Sequence, residues 1–224
     1  MGEREEKATR RAAELREFDL RVREFPKQML AGVDEVGRGC LAGPVVAACV
    51  VLKDDYDGIG VDDSKKLSEK KREEIFNHIM ENAVTVGLGV IDNVKIDEIN
   101  ILNATKLAMK KAILDVEENL EAKGEKTAKV LIDAVDLGEI ETATGELIEI
   151  VPIIKGDQKS MAIAAASIVA KVSRDRFMIE ISEKYPDYAF EKNKGYGTKA
   201  HYDGIAKSGI TEIHRKTFLK NLLK

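Results

Sequence analysis

Apolar positions recur along this chain with two periods, and their alternation outlines a fold. Leu15, Phe18, Val22 and Phe25 step by three and four through positions 1–28, which also hold eight basic and seven acidic residues. The stripe predicts an amphipathic helix over about 8–25, stopped by Pro26. From Met29 the period changes: MLAGVDEVGRG and PVVAACVVL are short β-branched runs separated by glycines and a proline, which predicts two strands that pair. Residues 68–82 return to helical spacing, with Ser68 as N-cap and Ile75, Phe76 and Ile79 on one face. AVTVGLGVI (83–91) reads as the next strand.

The longest helical pattern covers 94–120, with Ile96, Ile99, Leu102, Leu107, Ile113, Leu114 and Val116 as its apolar face, a break near Asn103 and an end around Gly124. KVLID (129–133) is too short for a helix and suits a buried strand, and IEIVPII (148–154) is a further extended piece. Residues 158–184 predict a long helix whose first half is apolar all round, as expected of a helix through the centre of a protein. After Tyr185 and Pro186 come a glycine-rich loop, a short helix over about 200–208 and a C-terminal helix from His214. Strands alternating with helices argue for an α/β protein on a mixed sheet. The expected organisation is an N-terminal helical extension (1–28) and a main domain (29–224) whose C-terminal helical part begins at about 186.

At 224 residues, 44% of them apolar, the chain suffices for one compact domain. The net charge of −4 hides a local excess, because 192–224 hold eight Lys or Arg against Asp203 and Glu212; such a segment suits a polyanion. No charge-free stretch reaches the roughly 20 apolar residues needed to cross a bilayer. The start, MGEREEKATRRAAELREF, lacks the apolar core of a secretory signal. Cys40 and Cys49 belong to no CxxC or Cys/His cluster, which fits a reducing cytoplasm.

The acids change the picture. Asp34 and Glu35 end an apolar run just before Gly37, Arg38 and Gly39. In a regular strand they point to opposite faces, so both serve one site only if the strand breaks, which the glycines permit; otherwise they form a solvated turn. Asp133 ends KVLID, with Asp136 competing for any role assigned to it, and Asp157 reads either as the N-cap of the long helix or as part of an acidic site. Four gathered acids repel one another unless cations neutralise them, and oxygen-only ligands suit magnesium. Two such ions about 4 Å apart can activate a water and stabilise a leaving oxygen in phosphoryl transfer. His78, His201 and His214 lack metal-ligand spacing and read as structural or surface residues.

Six segments carry a further signal. AGVDEVGRGCLAGPVVAACVVL (31–52), DSKKLS (63–68), LIDA (131–134), KGDQKSMAIAAASIVAKVSRDRFM (155–178), NKGYGTKAHYDGI (193–205) and HRKTF (214–218) together closely resemble bacterial ribonuclease HII. The resemblance implies a ribonuclease H-like fold, a mixed five-stranded sheet flanked by helices, for a catalytic domain over 29–224. It implies a metal-dependent endonuclease, a hydrolase that cuts the RNA strand of RNA/DNA hybrids and incises DNA 5′ to embedded ribonucleotides. The products would carry 3′-hydroxyl and 5′-phosphate ends, as ribonucleotide excision repair and DNA replication require.

Carried over residue by residue, the resemblance makes Asp34, Glu35, Asp133 and Asp157 the catalytic ligands of two Mg2+ or Mn2+ ions. Gly37, Arg38 and Gly39 fall on the segment that grips the ribonucleotide and senses its 2′-hydroxyl. Ser64 and Lys65 fall on positions that contact phosphates, and Tyr196 on a tyrosine that stacks on the deoxyribose following the ribonucleotide. On the residues alone, Arg38 reads as a surface salt-bridge partner, Ser64 and Lys65 as a solvated turn, and Tyr196 as a packed loop aromatic. By analogy the protein acts as a cytoplasmic monomer. Ala134 stands where many members have glycine, which keeps Asp136 in reserve. Two rivals use the same residues: a metal-dependent nuclease or recombinase acting on DNA alone, and a nucleic-acid binding protein without catalysis.

Overall fold

The structure, a computed structural model, describes residues 2–24, 29–61, 64, 67–127, 129–133 and 135–222. Strand β1 (Leu30–Val36) pairs antiparallel with β2 (Val45–Leu52), and β2 antiparallel with β3 (Ala83–Ile91). On the other side of β1, strands β4 (Lys129–Asp133) and β5 (Ile150–Ile153) add in parallel. The order β3-β2-β1-β4-β5 is the mixed five-stranded sheet expected from the sequence. Strand β2 lies inside the sheet with both faces covered, which explains its unbroken apolar run.

Helix α1 (Glu3–Val22), α2 (Glu69–Asn82) and α4 (Met161–Lys184) cover one face of the sheet, and α3 (Asn93–Glu121) covers the other. Helix α4 lies directly on β1: a Cβ added to Gly32 would fall 2.1 Å from the main-chain carbon of Ala162. Ser68 caps α2 and Ile75, Phe76 and Ile79 are its buried face, as the spacing predicts. Helix α3 breaks at Asn100, three residues before the expected point. Asn100 takes φ 68° and ψ 164°, outside any helical geometry, and its side-chain oxygen accepts the Asn103 N–H at 3.1 Å to restart the helix. Ile96, Ile113 and Val116 of the expected apolar face are buried. Ala104, Ala108, Met109 and Ala112 are buried, whereas Leu102 and Leu114, expected inside, are exposed.

Helix α1 ends at Val22, ahead of Phe25 and Pro26, which lie outside the described residues. Its Ala12 and Leu15 are buried in the same core as α4. The Asp19 carboxylate accepts the Ala162 N–H at 2.9 Å, next to the Ser160 hydroxyl that accepts the Ile163 N–H at 3.2 Å. The extension thus supplies part of the cap of the central helix.

Two expectations need correction. Asp157 does not begin α4: it sits on a separate 3-10 turn, Gly156–Gln158, and Ser160 is the N-cap. The C-terminal part contains α5 (Phe190–Asn193) and α6 (Lys199–Ser208), but no helix runs from His214. There the chain is held extended, with Ala42 bridged to His214 and the Arg215 N–H donating to the Leu41 oxygen. The Asp97 carboxylate then accepts the Lys216 and Thr217 N–H groups at 2.7 and 3.0 Å, closing a 3-10 turn, Lys216–Phe218. Tertiary contacts override the helical period. Among the described residues no helix is long and apolar enough to cross a membrane.

Candidate active site

Separate segments meet where the two parallel strands part. The β1–β4 ladder runs from Leu30 opposite Lys129 to Val33 opposite Ile132 and stops one step short of Asp34 and Asp133. Strand ends of this kind are where open α/β sheets carry functional groups. Strand β1 continues on its β2 side as far as Val36, so the break comes after Glu35, at Gly37 with φ 94°. Asp157 arrives from the turn ahead of α4. Asp34, Glu35, Asp133 and Asp157 line one cleft of about 460 Å³, together with Ser64, Arg72, Ser167, Lys171 and Tyr196.

The acids share the cleft without closing around a point: among the described residues, no three Asp, Glu, His or Cys side chains form a group able to hold an ion. Asp133 accepts the Gly156 N–H at 2.9 Å, and Glu35 pairs with Arg38 at 3.3 Å. Burial above all, then the charges of Glu35 and Asp133, push the Asp34 carboxyl well above the usual range, against hydrogen bonds that include one from Ser167. Glu35 is raised by burial and by Asp133, with Arg38 opposing. Asp136 is not part of the cleft; it is exposed and accepts the Gly138 N–H at 2.9 Å.

The turn at Gly37, Arg38 and Gly39 borders the cleft. A Cβ on Gly37 would meet the Arg174 Nε at 2.3 Å, and one on Gly39 would come within 4.0 Å of the Tyr196 ring, so turn and tyrosine are neighbours. Tyr196 is exposed rather than packed away. Ser64 is buried with its hydroxyl 2.8 Å from that of Ser167, which rules out a solvated turn at that residue. Lys65 lies outside the described residues.

Several cleft and support residues escaped the sequence reading. Ser167, Lys171 and Asp175 recur every four positions along α4, a polar stripe that was legible. Lys171 pairs with Asp175 at 2.7 Å, and Arg72 reaches the same carboxylate at 3.6 Å. The fully buried Arg174 donates to the main-chain oxygens of Pro44, Lys194 and Ala42 (2.8, 2.7 and 3.1 Å). The equally buried Arg215 donates to those of Gly43 and Arg38. These two guanidinium groups tie the glycine-rich turn to the Tyr196 loop, and no local pattern announces them.

The basic excess of 192–224 is smaller in three dimensions. Arg215 is buried, Lys194 is buried and donates to the Glu191 oxygen, Lys199 pairs with Asp203 at 2.9 Å and Lys207 with Asp187 at 2.6 Å. Lys199 and Lys207 are nonetheless exposed, as are Lys192, Lys216 and Lys220, and Lys224 lies outside the described residues.

A family model described as Ribonuclease HII matches residues 31–221. Ribonuclease HII of Clostridioides difficile (strain 630) is 52% identical over 194 residues, 87% of this chain and 71% of that protein. Ribonuclease HII of Caldanaerobacter subterraneus subsp. tengcongensis is 46% identical over 219 residues, 98% of this chain and 86% of that protein. A solved structure described as the PCNA:RNase HII complex from Archaeoglobus fulgidus has a TM-score of 0.66 at 28% identity, covering 84% of this chain and 93% of that one. Since the family match takes in every residue that lines the acidic cleft, the chain belongs to the ribonuclease HII family, hydrolases that act as endonucleases of the ribonuclease H type.

Proposed function

We propose that this chain cuts the RNA strand of RNA/DNA hybrids and incises duplex DNA on the 5′ side of an embedded ribonucleotide, using Mg2+ or Mn2+ ions held by Asp34, Glu35, Asp133 and Asp157. The observation that carries this reading is the shared cleft, where four carboxylates stand beside a Gly-Arg-Gly turn and an exposed tyrosine. The donor set suits hard divalent cations, since every candidate ligand is a carboxylate oxygen. The raised affinity of Asp34 for a proton fits as well: a buried anion among anions holds a proton until a cation replaces it. Two such ions, when bound, supply an activated water and charge to offset the departing 3′-oxygen, which leaves 3′-hydroxyl and 5′-phosphate ends.

The chain's own groups choose the bond. At Gly37, Arg38 and Gly39 the main chain can approach a sugar closely, and contact with the 2′-hydroxyl distinguishes RNA from DNA. Tyr196 stacks on the sugar after the ribonucleotide, while Ser64, Lys65 and Lys171 face phosphates. The catalytic domain is 29–224, with the part from about 186 against the duplex and 1–28 as an extension braced on α4. All these groups come from one chain, so a monomer suffices. Two free, buried cysteines accord with the cytoplasm.

The test is incision of a labelled DNA duplex carrying one ribonucleotide, with magnesium, manganese or chelator, beside an all-DNA control. A metal-dependent nick 5′ to the ribonucleotide with the control intact is the expected result. Cutting of both duplexes favours the DNA nuclease, and binding without any cut favours the non-catalytic protein.

A further inference from the structure

Behind Tyr196, shielded from solvent, His201 and His214 face each other with their Nε2 atoms 3.1 Å apart. Two ring nitrogens at this distance share one proton, and the neighbours decide which ring holds it. The Thr211 N–H donates to His214 Nδ1 at 2.9 Å, so that nitrogen is bare and a neutral His214 carries its hydrogen on Nε2. The His201 Nε2 therefore accepts. His201 keeps its hydrogen on Nδ1, 3.0 Å from the main-chain oxygen of Tyr196. Burial pushes both rings below the usual histidine range, which leaves them neutral at pH 7. The rings of Tyr188 and Phe190 wall the pair in.

The relay runs one way, from the Thr211 amide through His214 and His201 to the Tyr196 carbonyl, and it spans two loops. His214 bridges Ala42, and the Gly43 and Arg215 N–H groups bond to the Ile213 and Leu41 oxygens at 2.9 and 2.8 Å. His214 is thus fixed to the segment that follows Gly37, Arg38 and Gly39. His201 sits on α6, whose cap residue Thr198 follows Tyr196 closely. The Thr198 N–H also donates to the Tyr196 oxygen, at 2.8 Å, so loss of the histidine bond shifts that peptide without freeing it.

We infer that His201 and His214 are positioning residues that set the spacing between the 37–39 turn and Tyr196. They thereby govern how strongly a single ribonucleotide in DNA is favoured over a continuous hybrid. The inference rests on the reading of Tyr196 as the substrate-facing aromatic, and the test separates the two. Ring 13C and 15N spectra of the full chain at pH 7 should show one buried histidine protonated on Nδ1 and the other on Nε2. Two rings in the same tautomer, or a charged ring, would overturn the relay.

The kinetic arm compares kcat/KM on a single-ribonucleotide duplex with that on a long hybrid. His201→Leu should lower the ratio of the two by about tenfold, the size of one lost buried hydrogen bond. His201→Asn, whose side-chain amide takes the place of Nδ1, should restore most of that ratio. Equal loss on both substrates, or no rescue by a folded His201→Asn, would overturn the inference. A Tyr196→Ala variant with an unchanged ratio would instead sink the reading of Tyr196, and this proposal with it. A selective Tyr196→Ala beside an unselective His201→Leu rejects this inference alone. If His201→Leu does not fold, the spectra and His201→Asn decide.

Discussion

Asp34 is buried, adjoins two other acids and lies on β1 one step past the point where the β4 ladder stops. Asp34→Asn keeps the size and shape of the side chain and removes the charge that a cation would replace. Cleavage should fall by about 10²–10³-fold or more, the scale seen when one charge-stabilising group is lost from an active site. Duplex binding should hold or strengthen, because one negative charge facing a polyanion is gone; parallel cleavage and gel-shift assays check both. A second residue-level prediction concerns His214, whose pKa burial lowers from 6.5 to about 4. The unfolded chain takes up that proton first, so the associated stability is intact above pH 6.5 and is lost as pH falls toward 4, by up to about 3 kcal/mol. Urea unfolding of the wild type and of His214→Leu across this range should show a steeper acid loss in the wild type. At this scale the acids were legible because charge at the end of an apolar strand is conspicuous. Arg174 and Arg215 were not, because their partners are main-chain oxygens of loops remote in sequence.

Elements depend on close approaches that single substitutions test. Gly32 lets α4 rest on β1, and Gly32→Ala drives a methyl group into the Ala162 backbone, which has no rotamer to yield. A loss of about 3 kcal/mol or more is expected in denaturant titration. Asp19 joins α1 to the start of α4, and burial raises its pKa from 3.8 to about 6. A raised carboxyl favours the folded state while protonated, so the cost of ionising it is absent below pH 3.8 and complete above pH 6. Asp19→Asn keeps an acceptor for the Ala162 N–H without that cost. It should stabilise the protein at pH 7–8 by about 2 kcal/mol and leave it little changed near pH 4, as thermal melts at the two pH values would show. The strands and α2 were readable from period and caps alone, and β3 and β4 end where the pattern ends. The apolar face of α3 was read correctly at Ile96, Ile113 and Val116 and missed at Leu102 and Leu114, where the helix, broken at Asn100, turns small residues such as Ala104 and Ala108 inward instead. The C-terminal helix was misread because Asp97, distant in sequence, captures the amides of Lys216 and Thr217.

For the molecule as a whole, the alternation of strands and helices was enough to reach the mixed sheet, whereas charge summed over a segment was a poor guide to surface potential. Among the described residues of this segment, burial removes Lys194 and Arg215 from the surface and carboxylates pair with the exposed Lys199 and Lys207, while Lys192, Lys216 and Lys220 are exposed as well. With Lys65 and Lys171, these last three lysines make five phosphate-facing cations, so duplex affinity should fall with salt at a slope of about 4.5 in log–log form, where full use of the eight basic residues of 192–224 beside those two would give about 9. Titrations between low and physiological salt measure that slope. The buried arginines have a different consequence. Their hydrogen bonds go to main-chain oxygens, so the frame they hold is indifferent to what the two loops display on their outer surface. Arg38 and Tyr196 can be exchanged as a tool changes bits in an unchanged chuck. A library confined to those two positions is expected to vary substrate choice while thermal stability stays level across its members.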